Sequence, residues 1–309
     1  MKKKRLIIEE VVSDLKTGKE KNFSSYNYAL DENIKFFSSL KNMPSFIAWL
    51  IFRMPKLEGD KLLELSDFHL SKGKWETILQ KELKELESNK FFDILKPLRQ
   101  EIIDFVESNE NKEENLLIIN IGSGSMEIER QLIRELEDKG SQQKIVFLGV
   151  DSSEASISFA RENLKADGIE LKQINIQDNE IEKLKEKKEI RTIAVCKAEA
   201  LTLENTGIKP DLIFHSKLKH HIPKDQWERF DNLLLKICPM VIEFDNYKSF
   251  FIIMFSAIIN WNKPILNNGA IFSCLRSTEK RALKRDYLTD WKTKIQLGTY
   301  LKYRNGNNK

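Results

Sequence analysis

Two clusters in this 309-residue chain combine residue types and spacings that could do chemistry. The first is Gly122-Ser123-Gly124, set between the apolar runs Leu116 to Ile121 and Ile145 to Val150, with Asp151 closing the second run. The two glycines tolerate backbone angles that other residues avoid and let a ligand approach the main chain closely. A carboxylate at the end of the following strand can accept both ribose hydroxyls of a nucleoside. The second cluster is His215-Ser216-Lys-Leu-Lys-His220-His221, where paired imidazoles follow a short apolar run. A base there could take a proton from a hydroxyl nucleophile.

Charge narrows the ligand of the glycine turn. The third position of a dinucleotide fingerprint falls on Glu127, and a carboxylate beside a pyrophosphate at a helix N-terminus would repel it, which disfavours NAD and FAD. No Gly-Lys-Ser/Thr follows the turn, so it is not a phosphate loop. S-adenosyl-L-methionine (SAM) fits better, because it has no phosphate and carries a cationic sulfonium and amine.

The elements that must position these residues can be read from pattern. Leu116 to Ile121 and Ile145 to Val150 are short, apolar and rich in β-branched residues, as suits strands covered on both faces. Between them Ile128, Leu132 and Leu136 recur four apart, on one helix face. Ser152 or Ser153 can cap a helix carrying Ile157, Ala160 and Leu164. Strand-like runs follow at 169–176, 191–196, 211–215 and 239–244, and an amphipathic helix at 224–236. This alternation predicts an α/β fold with a doubly wound, mainly parallel, Rossmann-like sheet. The polar run 108–115 divides a mostly helical N-terminal region, residues 1–112, from a cofactor domain, residues 113–309. In the first region an apolar helix predicted from Met43 to Phe52 is either core or a cover for an apolar substrate.

Composition sets bounds on function. Apolar residues make up 41% and charged residues 32%, with a net charge of +4, which indicates a globular chain with no demand for a polyanionic partner. Three scattered cysteines without CxxC spacing suggest reduced thiols and a cytoplasmic protein, and only four histidines make structural zinc improbable. Leu6-Ile-Ile8 runs into Glu9-Glu10, too short for a signal peptide, and the longest apolar runs fall short of the roughly 20 residues that span a bilayer. Residues 276–309 hold ten Lys/Arg against three Asp/Glu. That excess could meet RNA phosphates, although a solvated charged face is the expected account.

The stretch Asn120-Ile-Gly122-Ser-Gly124-Ser-Met126 resembles motif I of class I SAM-dependent methyltransferases, with Asn120 at the acidic position and Met126 at the third glycine. Asp151 matches the family's acid after the second strand. The resemblance implies that Asn120, Gly122, Ser123, Gly124, Asp151 and Ser152 hold the cofactor. Val195-Cys-Lys197-Ala198-Glu199-Ala resembles the family's stretch after the third strand, with Lys197 in place of its adenine-facing aspartate. It implies adenine contacts from Ala198 and Glu199. Asp178 is the competing acid, because one of the two runs at 169–176 and 191–196 is inserted and the sequence does not say which.

Residues His215 to Pro223 resemble motif IV of small-molecule methyltransferases, implying that Ser216 lies beside the sulfonium and that His220 or His221 is catalytic. Asn267 to Ser277 looks like the acceptor-lining segment of quinone- and phenol-type members, with Asn268 for its aspartate. Glu243-Phe-Asp245-Asn246 resembles the magnesium-holding pair of catechol-type enzymes, but the remaining ligand would fall on His215 or Ser216, so no metal is expected. The resemblance thus implies transfer of the SAM methyl to a small-molecule acceptor, with S-adenosylhomocysteine (SAH) as product. The alternatives are an RNA methyltransferase using the basic C-terminal segment, or a catalytically weak SAM-binding scaffold.

Overall fold

The structure is a computed structural model that describes residues 93–110, 114–176, 180–186, 189–248, 277–279, 291–295 and 299–305. The apolar helix expected from Met43, the competing acid Asp178 and the segment around Asn268 lie outside the described residues. In chain order come α1 (Lys96–Ser108), β1 (Leu116–Ile121), α2 (Glu127–Asp138), β2 (Ile145–Asp151), α3 (Glu154–Lys165), β3 (Leu171–Ile174), α4 (Glu180–Lys185) and β4 (Arg191–Lys197). They are followed by β5 (Leu212–Ser216), α5 (Trp227–Ile237), β6 (Met240–Lys248), β7 (Thr278–Glu279), β8 (Lys292–Ile295) and β9 (Thr299–Asn305).

The doubly wound, mainly parallel sheet is present. Its strands run β3-β4-β2-β1-β5-β6-β9-β8, with the two-residue β7 pairing beside β6. The first six in that order are mutually parallel, β9 runs antiparallel to β6, and β8 runs antiparallel to β9. Alternate side chains feed two cores. Leu116, Ile118, Ile145 and Phe147 join α1, α2 and α3 on one face, while Leu117, Ile119, Val146 and Leu148 join α4 and α5 on the other. Each of these fully buried Leu or Ile side chains contributes about 1.5–3 kcal/mol. The period-two division explains why β1 and β2 read as unbroken apolar runs.

Several boundaries depart from the pattern reading. Residues 224–226 form a 3-10 turn ahead of α5, which starts at Trp227. β6 continues to Lys248 because β9 pairs with it through Asn246, a partner lying in a stretch that reads only as basic. Lys302, one of the basic residues there, is buried, 2% exposed, and lies over the Trp291 ring. α1 begins with Pro97 in its first turn and buries Leu98, Ile102, Ile103 and Val106 in the core of the sheet. Arg99 ties it to α2 through Glu135 at 2.6 Å. No helix among the described residues is long and apolar enough to cross a membrane.

Candidate cofactor and acceptor site

β1 lies between β2 and β5, so the chain steps away from β1 in one direction and later returns on its other side. The crevice at the carboxyl ends of strands at such a switch point is where open α/β sheets bind ligands. Both chemical clusters of the sequence arrive there.

On the β1–β2 side the turn is held by its backbone. Gly122 N–H donates to the Val150 carbonyl at 2.7 Å, and Gly122 and Gly124 have φ of +71° and +54°. Asp151 is gripped by two main-chain donors, Gly124 N–H on Oδ2 at 2.8 Å and Ser153 N–H on Oδ1 at 2.9 Å. An ionised carboxylate only accepts hydrogen bonds, and it offers about four lone-pair sites. Ser153, rather than the exposed Ser152, caps α3, accepting from Ser156 N–H at 3.1 Å.

Met126 sits where a third glycine was expected, and it keeps a glycine-like backbone, with φ +54° at the N-cap of α2. Its side chain is fully buried, and the missing space appears on β2 instead. A Cβ at Gly149 would lie 2.9 Å from Met126 Cε and 2.6 Å from Ser123 Oγ. Ser123 thus turns its hydroxyl toward the sheet. Asn120 is also buried, and its amide donates to Glu129 Oε1 on α2 at 2.7 Å. Glu129 is 0% exposed, so a carboxylate does lie beside the acidic position of the motif, supplied by the helix instead of the strand. Asn120 Oδ1 is buried with no hydrogen-bond partner among the described residues. Glu127 bonds to Arg130 at 2.7 Å and to Asn163 at 3.1 Å, so its charge is balanced and repels an anion less than its position suggested.

The inserted strand is β3. β4 pairs with β2, residue for residue from Arg191 to Lys197, and β3 lies outside it at the sheet edge. Ala198 therefore adjoins Asp151, donating its N–H to the Asp151 carbonyl at 3.0 Å. Glu199 follows at the start of a 3-10 turn, and Lys197 pairs with Glu154 at 3.1 Å.

The β5–β6 side is held by side chains. Ser216 ends β5, Lys217 turns the chain at φ +54°, and Leu218 reaches the β1 turn, where a Cβ on Gly122 would come within 2.9 Å of Leu218 Cδ1. His220 is buried, and its Nδ1 lies 2.7 Å from Asp245 Oδ1 on β6, while its backbone N–H reaches Oδ2 at 3.3 Å. When the aspartate is ionised it can only accept, so the proton of that bond is then on Nδ1, and in the neutral ring Nε2 is the acceptor nitrogen. His220 Nε2 is buried and has no hydrogen-bond partner among the described residues. His221 is half-buried, its ring centroid 4.1 Å from that of His220.

Sequence reasoning missed the groups around this pair. Lys219 Nζ lies 2.7 Å from Asp231 on α5 and 3.1 Å from Glu243 on β6, and Tyr300 on β9 donates to Glu243. Burial alone would raise the Glu243 pKa, yet the charges of Lys219, His215 and Lys302 and the Tyr300 bond bring it to about 2. Burial, followed by the Glu243 charge, pushes Asp231 up to about 6. Burial would lower Lys219, but its two carboxylates hold it above the usual lysine range. His215, fully enclosed with its ring edge-on to Phe230, is pulled down by burial to about 4. A signal was there to find, since Glu243 and Asp245 fall on one face of a strand whose first three residues and Phe244 are apolar, and buried carboxylates need partners. Among the described residues no three His, Cys, Asp or Glu side chains converge to hold a metal ion.

No family model matches the chain, and no curated protein matches it in sequence. Among solved structures it is similar to the CMeT domain of a citrinin polyketide synthase, at 13% identity over 88% of this chain and 69% of that one, with a TM-score of 0.49. It is also similar to a plantazolicin methyltransferase in complex with SAH, at 11% identity over 74% and 98%, TM-score 0.42. A third is the magnesium protoporphyrin IX methyltransferase of Synechocystis PCC 6803 with bound SAM, at 9% over 92% and 98%, TM-score 0.40. The likeness is one of architecture.

Proposed function

We propose that the protein is a SAM-dependent methyltransferase acting on a small-molecule acceptor. The observation that carries this reading is the meeting of the two clusters. Leu218, two residues before His220, packs against Gly122, so an Asp–His pair and a nucleoside-type turn share one switch-point crevice. The residues fit the cofactor. Asp151 puts an acceptor-only carboxylate at the end of β2, a group suited to ribose hydroxyls, and Gly122 and Gly124 leave the backbone approachable. Ala198 and Glu199 stand beside Asp151 for the adenine. Asn120 Oδ1, with Glu129 behind the same amide, suits the cationic amine.

When bound, SAM supplies an electrophilic methyl group on a sulfonium. The protein's share is chiefly alignment of the acceptor oxygen, nitrogen or carbon for in-line attack. Asp245 orients His220 and stabilises the imidazolium that forms when Nε2 takes the acceptor's proton.

Titration calorimetry with SAH tests the cofactor half. Asp151→Ala removes two hydrogen bonds of about 1.5 kcal/mol each to a charged group, so affinity should fall about 100-fold. An unchanged affinity would overturn the assignment.

A further inference from the structure

The acceptor turn carries two consecutive histidines, and something must decide which of them meets Asp245. Consecutive turn residues, Lys219 and His220, are bound by alternate residues of one strand, Glu243 and Asp245. Because side chains alternate along a strand, Glu243 and Asp245 share a face, and the two bonds form a matched pair of pegs. A slip of one residue along the turn would offer His220 to Glu243 and His221 to Asp245.

Several contacts oppose that slip. Lys219 is buried, 6% exposed, and reaches Asp231 on α5 as well as Glu243. Tyr300 holds the other Glu243 oxygen from β9. The Trp227 indole N–H donates to the Lys219 and Ile222 carbonyls at 3.0 and 2.9 Å, closing the turn from the helix side. Buried ion pairs of this kind add little net stability relative to apolar packing, and the best-attested reason to keep one is to fix a register.

We propose that Lys219 is a positioning residue: bonded to Glu243 and Asp231, it sets the register of the turn against β6, so that His220 and not His221 receives Asp245. The proposal deepens the methyltransferase reading, since His220 matters only as the proton acceptor there.

The test is nitrogen-15 correlation spectroscopy of the histidine rings in the full chain, with assignments from His220→Gln and His221→Gln. In the native protein the His220 ring should show the Nδ1-protonated tautomer, with a downfield, exchange-protected Nδ1 proton. In Lys219→Met/Glu243→Gln, which removes the peg without leaving Glu243 charged and unpaired, protection of that proton should fall about tenfold, the loss expected when one charge-assisted bond is broken. Lys219→Arg should restore it. A His220 signal unchanged in shift and protection in the double variant overturns the proposal. Should the double variant fail to fold, Lys219→Met alone decides: Glu243 keeps the Tyr300 bond, and an unchanged His220 proton is again the contrary result. SAH binding measured on the same samples separates the two claims. If the native protein binds no SAH, the methyltransferase reading falls while the ring signature still judges the register.

Discussion

At the β1–β2 end of the sheet, Asp151 is fixed by two backbone N–H groups and by a turn whose residues lie close together in sequence. At the β5–β6 end, His220 is fixed by side chains drawn from a turn, a helix and two strands, with Tyr300 bonding Glu243 across 57 residues of chain. The first arrangement takes its grip on Asp151 from backbone donors, with the charges of Glu127, Arg130 and Glu129 set behind it on α2. The second packs Lys219, Glu243, Asp231, Asp245 and Lys302 into one layer beneath α5. A backbone-held site tolerates charge changes and fails when a side chain is added. A side-chain-held site behaves the other way round, tolerating changes of shape better than changes of protonation.

The largest effect that follows is at Gly122. Valine there must adopt a positive φ, at about 1–2 kcal/mol, and its Cβ meets Leu218, at about 1–3 kcal/mol for overpacking. Urea titration should show a loss of about 3 kcal/mol. Adding Leu218→Ala should return the packing part and leave the backbone part. If the double variant recovers fully, backbone conformation is not what holds the β1–β2 end.

Next in size is a pH effect confined to the other end. His215 has a folded pKa of about 4 against 6.5 in the unfolded chain, so below pH 6.5 the unfolded state takes up a proton that the folded state refuses. Its contribution is present above pH 6.5 and is lost as pH falls toward 4. Asp231 opposes it, because its raised pKa lets the folded state bind the proton more tightly between about 3.8 and 6. The native protein should therefore show a muted slope over that range. His215→Leu unmasks Asp231, and relative to the native protein it should gain about 2–3 kcal/mol between pH 7 and pH 4.5. Denaturant midpoints at the two pH values measure it, and parallel curves would mean that His215 is not held neutral.

Legibility in the sequence divides along the same line. Gly122, Gly124 and Asp151 are readable because a backbone-held site is written in neighbouring residues with a fixed vocabulary. The order of β3 and β4 was less legible. Leu171 to Ile174 reads Leu-Lys-Gln-Ile, with two adjacent polar residues and Ile174 alone buried, as suits an edge strand, while the run from Thr192 to Cys196 is buried throughout, as an inner strand is. Lys219 was not readable, since one lysine between two histidines looks like a solvated charge until Asp231 and Glu243 are known to surround it. Nor was the choice of His220 over His221, which depends on strand register. The β8–β9 pair was hidden because its lysines suppressed the apolar signal, although Tyr300 and Leu301 are buried.

The smallest effect expected concerns Glu129, a buried carboxylate that α2 lends to the backbone-held end. Its carboxylate accepts from the Asn120 amide on β1, whose own oxygen is buried and has no partner among the described residues. If that oxygen receives the cofactor's ammonium group, Glu129 strengthens it as an acceptor by polarising the amide and by adding negative potential in a low-dielectric site. Glu129→Gln preserves the shape and an acceptor for Asn120 while removing the charge. SAH affinity should then fall about tenfold, near 1.4 kcal/mol. 5′-Methylthioadenosine has the same nucleoside and no amino-acid arm, so its affinity should stay within about twofold. Equal losses for the two ligands would show that Glu129 supports the turn as a whole and not the amine. Losses confined to SAH would make the helix carboxylate the functional counterpart of the acid that the strand lacks.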